Sequence, residues 1–149
     1  MKDLKVDEIP WTETLELRQK VLRPGLPPKD SHFVGDEDPE TFHLGLRKED
    51  DSRVLAIASF VKETNSQLGS NKAYRLRGMA VDPEYRRLRL GEKLLKAGEE
   101  GVRSRGADLL WFNARESAFS FYKACGYETL GELFDIPGVG PHKVMFKRF

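Results

Sequence analysis

A mixed α/β protein built on one sheet is the fold class this sequence predicts, and three observations carry the expectation. Residues 74–81, YRLRGMAV, alternate, so Arg75, Arg77, Met79 and Val81 share one strand face while Tyr74, Leu76, Gly78 and Ala80 share the other. From Leu90 the apolar and small residues Leu90, Leu94, Ala97, Gly98, Gly101 and Val102 recur at helical spacing, and Gly106 stands where that helix ends. The run LLWF within residues 108–113 then reads as a strand covered on both faces. Strand, helix and strand in that order make one right-handed crossover, so the two strands should run parallel.

The other elements follow in chain order. Leu4 to Val6 is a short first strand, and Trp11 to Leu22 a helix in which Leu15 and Leu22, and Leu17 and Val21, recur on a face. Pro24 biases Arg23 out of the helical region and ends it. Residues 24–40, with Pro27-Pro28 and the acidic DEDPE, form a loop suited to be a lid or a substrate-facing segment. Thr41 to Leu46 and Arg53 to Val61 are two strands of a hairpin turning at KEDDS, and polar residues 63–72 lead into the alternating strand. Beyond the LLWF strand, Ser117 or a neighbour caps a short helix from Ala118 to Cys125, closed by Gly126. Tyr127 to Leu133 and Val144 to Phe149 are the last strands, separated by the loop DIPGVGPH. Residues 1–149 thus read as a single domain with a sheet of about six or seven strands.

Composition narrows the function. A chain of 149 residues, 39% of them hydrophobic, buries a core without covalent staples, and one cysteine, Cys125, excludes an internal disulfide framework. His32, His43 and His142 lack zinc-ligand spacing, so no metal is expected. No charged-plus-apolar leader is present and no apolar run approaches the roughly 20 residues of a membrane helix, which points to a cytoplasmic protein without a membrane partner. Residues 1–60 carry nine Lys and Arg against thirteen Asp and Glu, whereas residues 75–105 carry nine against five. The acidic remainder and the lack of a helix-turn-helix or RNP-like signature argue against nucleic acid as a partner.

The basic segment opens a helix. After the strand and the Asp82-Pro83 turn, the main-chain amides from Arg89 to Lys93 begin a helix amid arginines, an arrangement that suits a pyrophosphate. The same stretch also fits a basic, solvated turn before an ordinary amphipathic helix, since no strict Walker or Rossmann glycine pattern is present.

A strand, DPEYRRLRLG, a helix, Asn113-Ala114 near a strand end and FYKACGYE together resemble the GNAT N-acetyltransferases. LRPGLP, FHLG, ASF, YRLRGMA, RGADLLWFNAR and VGPHKVMFKR extend the likeness over nearly the whole chain toward the glyphosate N-acetyltransferase branch of that family. One departure stands out: Arg89 occupies the place of the first glycine in the superfamily's phosphate turn. The resemblance implies the GNAT fold, a central mixed, mostly antiparallel sheet flanked by helices, with a splayed parallel strand pair that binds acetyl-CoA. It implies cofactor contacts at Met79, Ala80, Val81, Arg86, Arg87, Leu88, Arg89, Leu90, Gly91 and Glu92, and along the pantetheine at Asn113, Ala118, Phe121 and Lys123.

The resemblance further makes His142 the base that takes a proton from the attacking amine, a task imidazole suits near neutrality, although taken alone it reads as a surface histidine of a hairpin loop. Tyr122 corresponds to the general acid for the departing thiolate; taken alone it reads as a core aromatic. Cys125, with no base nearby in sequence, is expected to be buried and inert. Arg23, Arg77 and Arg115 match the family's clamp on the substrate's anionic groups, whose oxygens the guanidinium fork fits in pairs. Converging cations repel by on the order of 4 kcal/mol per pair at about 4 Å, which an anionic ligand offsets.

The expected activity is therefore direct transfer of acetyl, through a ternary complex, to the amine of a small anionic acceptor by a monomeric, metal-free acyltransferase. Glyphosate, aminophosphonates and amino acids are the acceptor classes. The alternatives are a GNAT enzyme with a different amine acceptor and a non-catalytic acyl-CoA-binding module, which thiol release from acetyl-CoA in the presence of amines distinguishes.

Overall fold

Alternation and helical periodicity resolve into seven strands and three α-helices in a computed structural model that describes residues 4–86 and 88–149. The strands are β1 (Leu4–Ile9), β2 (Phe42–Lys48), β3 (Val54–Lys62), β4 (Ala73–Val81), β5 (Leu109–Arg115), β6 (Glu128–Ile136) and β7 (Gly140–Arg148), hydrogen-bonded in the order β1-β2-β3-β4-β5-β7-β6. The helices are α1 (Leu15–Leu17), α2 (Leu90–Ser104) and α3 (Phe119–Ala124). The chain divides into two units, residues 1–62 with 76–101 and residues 63–75 with 102–149.

In the first unit, β1 pairs antiparallel with β2, and β2 with β3 across the charged turn, as the hairpin pattern predicts. Residues 55–60 of β3 are all buried, so this strand is apolar on both faces rather than alternating. Ile9, Leu17, Ile57 and Ala80 form a core cluster, with Val21, Leu22 and Val54 packed against it. On α2, Leu90, Leu94, Leu95 and Gly98 are buried. A methyl group on Gly98 would overlap the Phe60 ring at Cζ, so only glycine lets this turn of helix rest on the ring, which itself stacks on Phe42 at 4.9 Å.

The expected helix over residues 11–22 is present but irregular. It opens as a 3-10 turn (Trp11–Thr14), passes through α1 and closes as a π-turn (Arg18–Leu22) with Arg23 N–H donating to the Arg18 carbonyl at 2.9 Å. Arg23 leaves the helix at φ −132° and ψ 51°, outside the helical region that the proline after it disfavours.

In the second unit, Ala73–Arg75 pair parallel with Leu109–Trp111, the outcome of the predicted crossover, and β7 pairs antiparallel with both β5 and β6. Leu68, Ala73, Leu109 and Trp111 make its core cluster, flanked by Leu130, Val144 and Phe146. Gly106 ends α2 at φ +86°, with its own N–H donating to the Arg103 carbonyl and that of Ala107 to Val102.

Two expectations are corrected here. DIPGVGPH is not a loop: β6 runs to Ile136 and β7 starts at Gly140, leaving a tight turn closed by Val139 N–H on the Ile136 carbonyl at 2.9 Å. Gly138 at φ +78° and Gly140 at φ +115° permit so short a reversal. Ser117 does not cap α3; it sits inside a 3-10 turn (Glu116–Ala118), and neither that turn nor α3 has a side-chain cap. Among the described residues no helix is long and apolar enough to cross a membrane.

Candidate active site

The turn after β4 is built around Asp82. Its N–H donates to the Leu55 carbonyl at 2.8 Å, its Oδ1 accepts the Glu84 N–H at 3.0 Å, and its Oδ2 accepts Lys20 Nζ at 3.2 Å. The Glu84 amide, helped by Lys20 and against burial, lowers this carboxyl below its ordinary range. Helical hydrogen bonding resumes with Lys93 N–H on the Arg89 carbonyl at 3.2 Å, so the amides of Leu90, Gly91 and Glu92 precede the ladder, at the positive end of the helix dipole. Arg89 adopts φ +59°, the left-handed region that glycine favours. The residue departs from the superfamily pattern while the backbone keeps the conformation a glycine would take.

Several residues expected at the cofactor are qualified by burial. Ala80 and Leu90 are buried core side chains and offer a ligand their main chain alone, whereas Met79 and Val81 are half-buried. Arg86, Leu88 and Arg89 are exposed, and Glu92 pairs with Lys96 at 3.3 Å. Arg87 lies outside the described residues.

The acidic loop is anchored rather than solvated. Asp36 is 4% exposed and takes a bidentate ion pair from the buried Arg18, at 2.6 Å on Oδ2 and 2.9 Å on Oδ1. Arg18 also donates to the Ser31 carbonyl at 2.9 Å and Ser59 Oγ at 2.8 Å. Ser59 Oγ lies 2.7 Å from His43 Nδ1, and His43 Nε2 lies 3.0 Å from the Asp36 carbonyl. A carbonyl only accepts, so Nε2 carries the proton, Nδ1 accepts from Ser59, and the neutral ring is fully satisfied. Burial chiefly, with the Arg18 charge, holds His43 below its ordinary pKa against the opposing pull of Asp36 and Glu8. Burial alone would raise Asp36, but hydrogen bonds from Arg18 and Phe33 N–H and the Arg18 and His43 charges outweigh it and lower that carboxyl. Sequence reasoning missed this network. Its signal is Arg18 itself, a charged residue three positions from Leu15 and four from Leu22 on the apolar face.

Two of the expected clamp arginines meet in this unit. Arg77 and Arg23 lie over the Phe33 ring, their Cζ atoms 5.0 and 5.9 Å from its centroid, with Arg18 at 4.0 Å. Residues five apart are separated by about 140° around a regular α-helix. The π-turn is what brings Arg18 and Arg23 to one ring.

In the second unit Arg115, the last residue of β5, lies directly opposite His142 in the β5–β7 ladder, and Phe134 lies opposite His142 on the other side, the two rings 6.0 Å apart. His142 is thus a strand residue, 4% exposed, rather than a surface histidine. Its Nδ1 sits 2.7 Å from the Gly140 carbonyl. Nδ1 must therefore carry the proton, and the lone pair of the neutral ring is on Nε2. Tyr122 packs against Phe112 at 4.4 Å and Phe121 at 4.9 Å. Burial, with a smaller contribution from Cys125, pushes its phenol up to about 12, so it stays protonated at neutral pH. Asn113 is half-buried on the same strand face as Arg115; Ala118 is half-buried, and Phe121 and Lys123 are exposed. Cys125 is half-buried rather than buried and forms no disulfide.

A groove of about 510 Å³ in the first unit, lined by Glu8, Trp11, Asp36, Glu37, Thr41 and His43 among others, contains none of the expected ligand-binding residues and is acidic. No cluster able to hold a metal ion occurs among the described residues.

The architecture is a mixed sheet with the parallel pair β4 and β5 and a helix connecting those two strands. The sequence profile of the acetyltransferase (GNAT) family matches residues 6–127, and the chain belongs to that family; it is an acetyltransferase. It is 38% identical over 144 residues, 97% of this chain and 95% of the relative, to the uncharacterized N-acetyltransferase YitI of Bacillus subtilis (strain 168). Its fold is similar to that of Escherichia coli ElaA, with a TM-score of 0.77, 17% identity, and coverage of 97% of this chain and 99% of that one. It is also similar to an aminoglycoside 6′-N-acetyltransferase complexed with coenzyme A, with a TM-score of 0.71, 14% identity, and coverage of 97% and 96%.

Proposed function

We propose that this acetyltransferase uses acetyl-CoA to acetylate the amine of a small anionic acceptor, glyphosate-like, aminophosphonate or amino acid, by direct attack within a ternary complex in the cytoplasm. The observation that carries the reading is the Arg115–His142 pair. A guanidinium and an imidazole whose Nε2 is free to accept a proton stand side by side, so an anion held at Arg115 carries its amine to the base. His142 Nε2 takes the proton as the amine nitrogen bonds to the thioester carbonyl carbon. The C–S bond then breaks, and the Tyr122 hydroxyl protonates the thiolate. A donor at about 12 is a weak acid for a thiol of ordinary pKa about 8.5, so this step needs the Tyr122 phenol to be made more acidic by solvent entry, which relieves the burial that raises it.

The residues present fit acetyl-CoA. The amides of Leu90 to Glu92 and the exposed Arg86 and Arg89 suit its pyrophosphate, and Asn113, Ala118, Phe121 and Lys123 are read as its pantetheine contacts from the family resemblance. Coenzyme A in the structurally similar aminoglycoside enzyme supports this cofactor, and its acceptor shows that the fold alone does not set acceptor charge. In this reading Arg23 and Arg77 are acceptor ligands as well, and residues 1–149 act as one catalytic domain.

A panel of amines assayed for thiol release from acetyl-CoA tests the proposal. Glyphosate and amino-dicarboxylic acids should be acetylated and spermidine refused, and His142→Ala should lower turnover by about 10² to 10⁴ while leaving acetyl-CoA affinity intact. Preference for spermidine over every phosphonate or carboxylate amine would overturn the anionic acceptor, and a loss below about tenfold at His142 would move the base elsewhere.

A further inference from the structure

We propose that Phe33 is the positioning residue of the acceptor-anion site, its ring seating the guanidinium groups of Arg23 and Arg77 so that both bear on one oxyanion. This rests on the reading of those two arginines as acceptor ligands. Phe33 itself belongs to the loop that the sequence marks as substrate-facing, and nothing in the family motifs of this chain singles it out.

The ring is fixed from three directions. Its own N–H donates to Asp36 Oδ2 at 2.8 Å, and Asp36 N–H returns a bond to the Phe33 carbonyl at 3.1 Å, so the main chain around it is tied to the buried Arg18–Asp36 pair. Arg18 covers the ring at 4.0 Å, a cation whose charge Asp36 already balances. Beneath the ring edge is Gly78, at φ +63°, where a methyl group would lie 2.9 Å from Phe33 Cε2. Glycine here leaves room for the ring to reach β4, the strand that carries Arg77 on the preceding residue.

What a fixed ring does for the other two arginines follows from their chemistry. Arg23 is exposed on a long stem with many rotamers, and like charge pushes it from Arg77. The negative ring face attracts both guanidinium groups and holds them within reach of a common ligand before it arrives, which lowers the ordering cost of binding. An aliphatic side chain of similar volume would fill the same space without that attraction. The ring also supplies an apolar floor, so the oxyanion is gripped from the guanidinium edges and the remainder of a small acceptor rests on carbon.

The test is steady-state kinetics of the full chain with glyphosate or another aminophosphonate as the varied acceptor. Phe33→Leu should raise the acceptor KM about tenfold, the size expected when two exposed cation–π attractions are removed together, with kcat and the acetyl-CoA KM changed less than about twofold. Phe33→Tyr should restore the acceptor KM, and in an Arg77→Ala background Phe33→Leu should add much less than it does alone. An unchanged acceptor KM in Phe33→Leu, with the unmodified protein still preferring anionic amines, overturns the positioning role and leaves the anion site standing. So does a loss spread equally over kcat and both KM values, which marks a purely structural residue. A preference of the unmodified protein for cationic amines overturns the anion site, and the role of Phe33 with it.

Discussion

Removing the Asp36 carboxylate isolates a charge that the fold cannot hydrate. Arg18 and Asp36 side chains are 0% and 1% exposed, and the carboxylate answers two of the guanidinium's N–H groups and the Phe33 amide. Arg18 Nε already lacks a hydrogen-bond partner, and the Ser31 carbonyl and Ser59 Oγ that remain are neutral acceptors that leave the charge unbalanced. Breaking a buried pair from one side costs about 3–5 kcal/mol, because the remaining charge stays buried and uncompensated. Against a total stability of about 5–15 kcal/mol, Asp36→Ala should lower the urea midpoint severely and Tm by roughly 6–20 °C. Asp36→Asn, which keeps the shape and one acceptor, should lie between the two. Urea melts read with intact m-values measure this, and a loss under about 1 kcal/mol for Asp36→Ala would mean that water reaches Arg18 and that the loop is not anchored there.

Two further outcomes follow from the first unit. Gly98→Ala should destabilise by about 1–3 kcal/mol despite its better helix propensity, since the added carbon meets the whole Phe60 ring edge, and a Tm equal to or above that of the unmodified protein would show that the helix does not rest on that ring. The lowered His43 pKa means that below its ordinary 6.5 the unfolded chain binds a proton that the folded chain refuses. Stability should therefore fall as pH drops from 7 toward 5, by at most about 1.4 kcal/mol per pH unit from this group, and His43→Gln should flatten the profile; equal slopes in both proteins would contradict the buried neutral ring.

How much of this was legible in the sequence depends on whether the deciding interactions are local. Alternation in 74–81, the helical period from Leu90 and the glycines at 106 and 126 are local signals, and the corresponding strand, helix and helix ends are all present. The hairpin turning at KEDDS and the parallel pair followed from turn chemistry and crossover handedness. The end of the chain was less legible, because the positive-φ glycines at 138 and 140 make a three-residue turn as readily as they make a loop, and only cross-strand pairing decides which. The π-turn and the Arg18–Asp36–Ser59–His43 network were not legible. They join residues up to 41 positions apart, and a lone arginine on an apolar helix face announces a buried partner without saying which. Arg115 beside His142 is likewise a product of register, which no spacing in the sequence encodes.

Arg89 brings these levels together at the turn proposed for the pyrophosphate. A non-glycine residue at φ +59° costs about 1–2 kcal/mol relative to the right-handed region. The same residue places a cation at the start of α2, where the dipole's positive end disfavours positive charge by about 0.3–1 kcal/mol. Both costs are withstood because the flanks are fixed. Asp82 is tied to Leu55, Glu84 and Lys20 on one side, and Leu90 is buried on the other. Glycine at this position would avoid both, yet it would bring neither charge nor hydrogen-bond donors. Backbone strain and misplaced charge concentrated on one exposed arginine make sense where an anion arrives to offset them, since the phosphate oxygens would meet the guanidinium and the free amides of Leu90 to Glu92 together. The departure from the family's glycine pattern thus argues for anion binding at this turn, through a side chain as well as the main chain.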